Sequence, residues 1–128
     1  MSGEKAHGNE GERIVDRLLR YERWGIIERQ SRIFGHTLDM LAEHPLHGEA
    51  LIEVKVWADP KTVGTDNVKK AIADAYDLRA AGETRPYILV LSHELPGLLK
   101  DMLQRAVDVG AITEVRVLAL NVIMGGLP

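Results

Sequence analysis

Hydrophobic and polar positions alternate along the chain at two periods, 3.6 and 2. Near its start Ile14, Val15, Leu18 and Leu19 fall on one helical stripe, so the spacing predicts a helix over Asn9–Trp24. Arg13, Arg17 and Arg20 form a second stripe beside it, and Gly25 is placed to end the helix. Residues 1–8 are polar and read as a loose terminus. Ile26–Phe34 and His36–Ala42 read as short strands around Gly35, and residues 43–49, with Pro45 and Gly48, read as a turn. Ala50–Trp57 is the clearest strand: it is rich in β-branched residues and carries charge only at alternate positions, Glu53 and Lys55.

Residues 58–66 read as a loop, with Thr65 or Asp66 capping a helix over Asn67–Ala81 that Gly82 stops. The run Tyr87–Ser92 is apolar without alternation, as expected of a strand buried on both faces. A third helix is predicted over Leu95–Val109, closed by Gly110, and a last strand over Glu114–Leu120, followed by a loose tail at 124–128. The order is α-β-β-β-α-β-α-β. Short turns join the first three strands into an antiparallel meander, and helices separate the later ones as parallel crossovers. The expected fold is α/β, a mixed sheet with helices on both faces, in one domain spanning residues 1–128.

Composition narrows the class. In 128 residues, 45% are apolar and 27% charged, enough to bury a core. The net charge of −3 excludes a strongly basic coat or tail but leaves room for a local basic patch. With no cysteine there is no disulfide framework and no thiolate metal site. No apolar run approaches the roughly 20 residues of a membrane helix, so a cytoplasmic chain without membrane partners is expected.

The candidate chemistry lies in the second hairpin. A register centred on Leu46 places Asp39 opposite Glu53. Thr37, Asp39, Leu41, Leu51, Glu53, Lys55 and Trp57 then share one face, and Leu38, Met40, Ile52, Val54 and Val56 share the other. Opposed carboxylates about 4.5–5.5 Å apart repel. A divalent cation is the economical compensation, because Mg²⁺ is typically held by one or two carboxylates plus water and phosphate. Lys55, one step along from Glu53, can steady the charge that builds on a phosphate in a transition state.

These residues resemble the PD-(D/E)xK, or restriction-endonuclease-like, nuclease superfamily: Asp39 stands where its metal-binding Asp does, and Glu53 and Lys55 stand where its Glu-x-Lys pair does. Gly11-Glu12, Leu18-Leu19 and Gly25 are similar in spacing to the branch of Holliday-junction-resolvase-like and Mrr-like small nucleases, and the likeness spans roughly residues 9–91. Leu38 replaces the proline of the motif. The resemblance implies a restriction-endonuclease-like fold and an Mg²⁺- or Mn²⁺-dependent DNA endonuclease leaving a 5′-phosphate. It implies Asp39, Glu53 and Lys55 as catalytic residues, with Glu12 joining Asp39 and Glu53 as metal ligands. Lys69, Lys70 and Arg13 are candidate substrate contacts.

Each residue also has an ordinary structural reading. A Glu-x-Lys strand is commonly a solvated face, Glu12 complements a helix dipole, and Glu10 takes its place if the helix phase differs. The two lysines read as solvated helix surface, the arginine stripe as salt-laced surface beside Asp16, and Trp57 as core. His36, His44, His47 and His93 lack the spacing of a zinc site. Cutting two DNA strands calls for a homodimer, to which Val115–Leu120 could contribute. The alternatives are a nuclease-fold module that binds nucleic acid or protein without cutting, and the nuclease subunit of a defence system.

Overall fold

The computed structural model describes residues 3–56 and 65–118, with side chains from Glu12 onward. Among the described residues the order is α1 (Gly3–Tyr21), β1 (Gly25–Ile33), β2 (His36–His44), β3 (Gly48–Lys55), α2 (Thr65–Ala80), β4 (Tyr87–Leu91), α3 (Gly97–Asp108) and β5 (Glu114–Val117). The strands form one mixed sheet in the order β1-β2-β3-β4-β5. The first three pair antiparallel and the last two join in parallel. The expected α/β class and element order therefore hold.

Two parallel crossovers in succession step the same way across the sheet. Right-handed crossovers then place their helices on one face. Accordingly α2 (through Val68, Ile72 and Leu78) and α3 (through Leu99 and Leu103) share one core with Leu51, Tyr87, Leu89 and Leu91. The other face belongs to α1, whose Val15 and Leu19 pack with Trp24, Met40, Ile52, Val54, Ile88 and Val90. Every residue of β4 is buried, which is why its sequence does not alternate.

The structure corrects several boundaries. Helix α1 begins at Gly3 and not at Asn9, since Glu4, Lys5 and Ala6 are good helix formers and no proline interrupts them. Thr65 and Asp66 lie inside the first turn of α2, so neither stands ahead of the helix as its cap. Strand β5 ends at Val117 on the sheet's edge; Ala119 and Leu120 of the expected strand, like Trp57, lie outside the described residues.

Gly25 does not end α1. It already opens β1, and Arg23 takes the left-handed position, with φ +75°. The Trp24 N–H donates to the Leu19 carbonyl at 2.8 Å and the Arg23 N–H to the Arg20 carbonyl at 3.0 Å, the paired bonds of a Schellman ending. Helices α2 and α3 end the same way, but with Gly82 (φ +100°) and Gly110 (φ +82°) at the equivalent place. Only at α1 does a side chain bear the steric cost of that conformation. Arg23→Gly should therefore stabilise the protein by about 0.5–1 kcal/mol. The thermal midpoint should rise by roughly 2–5 °C, measurable by scanning calorimetry.

Candidate active site

Strands β2 and β3 pair from His44↔Gly48 to Met40↔Ile52, in the register centred on Leu46. Past that point the ladder stops and side chains replace it. The Asp39 N–H donates to Glu53 Oε1 at 3.0 Å, and the Val54 N–H donates to Asp39 Oδ2 at 2.7 Å. Each carboxylate thus anchors one oxygen on the other strand's backbone. β3 keeps its parallel partner through this stretch, with Glu53 opposite Leu89 and Lys55 opposite Leu91.

Because β2 peels away here, its alternation breaks. Leu38 was expected on the face of Met40, but Leu38 packs in the α2 core and Met40 in the α1 core. On the other side of β2, between the pairs Arg29↔Met40 and Ser31↔Leu38, Gln30 takes a left-handed φ of +50°. The kink in β1 and the break in β2 face each other, and the two strands turn together. Leu41 and Leu51 do share the α2 side, as the pattern required.

Three acidic side chains and a lysine meet at this break. Lys55 Nζ lies 3.5 Å from Glu53 Oε2. Glu53 is 6% exposed. Its carboxyl is pushed up to about 8, first by burial and then by the charge of Asp39, with Lys55 pulling the other way. Glu12 reaches Asp39 from α1. Burial, then the charge of Asp39 and a hydrogen bond with it, push Glu12 up to about 7, against the opposing pull of Arg29. Asp39 therefore sits between two carboxyl groups that burial, and then its own charge, make hold protons more tightly than usual.

The other candidates are placed as follows. Lys70 pairs with Asp74 at 3.0 Å. Its ammonium is held above its ordinary range by that hydrogen bond and the charge of Asp74, with a further contribution from Glu53. Lys70, Lys69 and Arg13 are all exposed, on α2 and α1, and of the three Lys70 feels the charge of Glu53. Arg20 and Arg29 both pair with Asp16, at 3.1 and 2.7 Å, so that part of the arginine stripe is salt-laced surface. The side chain of Glu10 lies outside the described residues.

Three of the histidines, His36, His44 and His93, have partners of their own at the ring nitrogens. The Leu46 N–H donates to His44 Nδ1 at 3.0 Å, which places the ring proton on Nε2, 2.9 Å from the Glu22 carbonyl. His36 bridges Asp74 at 3.2 Å and Asp77 at 2.6 Å. His93 Nδ1 lies 2.9 Å from Ser92 Oγ.

Sequence reasoning missed Arg29, Asp74 and Tyr87. Tyr87 is buried beneath the cluster; burial, then the charges of Glu53, Asp74 and Asp39, raise its hydroxyl. Local pattern carries no signal for these residues, since each reaches the site from a different element.

Among the described residues, no group of three or more His, Asp or Glu side chains is arranged so that it could hold a metal ion. The donor set nevertheless suits a hard divalent ion that keeps its own water. Asp39 and Glu53 each have a second oxygen not bonded to a main-chain N–H, that of Glu53 facing Lys55, and Glu12 adjoins Asp39. A scan against protein-family models, a search of curated proteins and a search of solved structures each found no match.

The raised carboxyls set a pH dependence. The ordinary value for such a group is 4.5, so between about pH 4.5 and 8 the folded protein binds more protons than the unfolded chain. Without metal, stability should therefore fall as pH rises through this window. Glu53→Gln, which keeps an acceptor for the Asp39 N–H, should remove most of the slope. Urea midpoints at pH 5 and pH 8.5 for both proteins measure it.

Proposed function

We propose that this chain is a PD-(D/E)xK-type, metal-dependent phosphodiesterase acting on DNA, with a restriction-endonuclease-like arrangement of the sheet. The observation that carries this reading is the interlock of Asp39 and Glu53 beside Lys55. A sheet that needed only a solvated ion pair has no reason to bury Glu53 against a second acid. The antiparallel meander carrying the acids, the following parallel strand and the flanking helices are consistent with such a fold.

In this reading Asp39 and Glu53 hold a Mg²⁺ or Mn²⁺ ion with their second oxygens, and Glu12 supports it from α1. When bound, the ion supplies positive charge against the phosphate and makes water more acidic. Lys55 orients the attacking water or meets the charge that grows on the phosphoryl oxygens. Lys70, steered by Asp74, and the exposed Lys69 and Arg13 contact the phosphate backbone. Cleavage of both duplex strands needs two such sites, which a two-fold pair of chains provides.

Purified protein should cut plasmid, single-stranded or branched DNA in the presence of Mg²⁺ or Mn²⁺. Lys55→Ala should slow the cutting by about 10²–10³-fold or more. Its melting temperature should stay close to the parent's, because Lys55 lies at the strand end outside either apolar core. Cleavage by Lys55→Ala at the parent rate would refute the proposed mechanism.

Metal should also register without turnover. An ion bound only by the folded state stabilises it by about 2.7 kcal/mol at a hundredfold excess over Kd. The corresponding melting shift is roughly 8–15 °C at most. Asp39→Asn should erase most of the Mn²⁺ shift and slightly raise the stability of the metal-free protein, by relieving both neighbouring acids. An unchanged melting temperature in millimolar Mn²⁺ would favour a module that binds without cutting.

A further inference from the structure

Arg29 stands on the edge strand β1, yet its side chain turns back to α1. Residues paired across β1 and β2 share a face of the sheet. Met40, opposite Arg29, packs in the α1 core, whereas Leu38, opposite Ser31, packs in the α2 core. In a regular strand Arg29 and Ser31 would lie on one face. They do not, because Gln30 between them takes φ +50°, a conformation that strains a residue with a side chain. That strain has a product: it aims Arg29 at α1 while Ile33 stays in the α2 core.

There Arg29 meets Asp16. Its Nη2 donates to Asp16 Oδ2 at 2.7 Å, and Arg20, one turn on in α1, donates from Nε to Oδ1 at 3.1 Å. The Asp16 carboxylate is thus oriented within the helix, with one oxygen left for the sheet. Burial pushes this carboxyl up, but hydrogen bonds from Arg29 and Arg20 hold it below its ordinary value, so it stays charged at neutral pH. Glu12 stands one turn before Asp16, on the same side of the helix. Burial, then the charge of Asp39, push Glu12 up, and the charge of Arg29 opposes them. Among the described residues, Arg29–Asp16 is the ion pair that ties α1 itself to the sheet; Glu22, which pairs with Arg116 of β5, lies just past the helix end.

We infer that Arg29 is a positioning residue: through Asp16 it fixes α1 so that Glu12 reaches Asp39 and completes the candidate metal site. The inference rests on the phosphodiesterase reading for the metal and adds to it the residue that places the third acid. A cation acting only through its charge repels a divalent ion, and removing it would tighten metal binding. A cation acting through position has the opposite sign, because removing it frees Glu12 and loosens binding.

The first measurement needs no metal. Urea midpoints at pH 8.5 for the parent, Glu12→Gln, Asp39→Asn and the double variant give the coupling of the two acids. Each single substitution relieves the same repulsion, so the double should gain less than the sum. Repeated in Arg29→Gln, the cycle should become additive; repeated in Arg29→Lys, which keeps a cation for Asp16, it should not. The second measurement is the melting shift as Mn²⁺ is added. Arg29→Gln should weaken Mn²⁺ binding by about tenfold, as loss of a residue that orients a ligand does, and Arg29→Lys should restore much of it. In a Glu12→Gln background Arg29→Gln should have no further effect. Coupling that is absent from the parent, or unchanged by Arg29→Gln, overturns the positioning role, as does equal or tighter Mn²⁺ binding by Arg29→Gln. If Arg29→Gln abolishes the coupling while Mn²⁺ shifts not even the parent, the positioning role stands and the phosphodiesterase reading falls.

Discussion

Two carboxylates that should repel are held side by side by main-chain N–H groups, and the architecture around them follows from that exchange. At about 5 Å, two full charges in a partly buried setting repel by roughly 3 kcal/mol. One hydrogen bond to each from the backbone, at about 1.5–3 kcal/mol for a charged acceptor, is comparable in size. Neither effect dominates. Burial adds to the repulsion, and Glu53 and Glu12 bind protons more tightly than ordinary carboxyls while Asp39 keeps its place between them. The same exchange ends the β2–β3 ladder and breaks the alternation of β2.

The sequence made the sheet and the acidic pair legible for one physical reason. Alternating charge over Glu53 and Lys55 identifies a strand with one polar edge, and a short turn at Leu46 fixes the register of its neighbour. The ladder from Met40 to His44 follows that register. What stayed hidden depends on side chains replacing backbone bonds. Leu38 changes face because Asp39 and Glu53 interrupt the ladder, which no period-2 pattern encodes. Arg23 ends α1 because Schellman hydrogen bonds hold it left-handed, even with Gly25 two residues on. The clamp of His36 on Asp74 and Asp77 joins segments far apart in the chain, and neither segment announces it.

The two faces of the sheet divide the labour unequally. The α2 and α3 side holds the larger share of the core and carries Asp74, Lys70 and the support for the β1–β2 hairpin. The α1 side contributes a single helix, yet that helix delivers Glu12. The candidate site is therefore assembled inside the sheet, where β2 and β3 splay apart, with contributions from both layers. A small displacement of α1 would change the distance between Glu12 and Asp39, which already influence one another.

Chain order gives this arrangement a consequence during translation. Helix α1 is made first, but part of its docking surface, Ile88 and Val90, lies on β4. At about 5–20 residues per second, the ribosome needs several seconds to travel from one to the other. For that interval Val15 and Leu19 have no complete partner, and Glu12 has no fixed relation to Asp39. A nascent chain ending before β4 thus carries Glu12 on a helix whose docking surface is incomplete, and its approach to Asp39 is completed by a strand made about fifty residues after Asp39 itself.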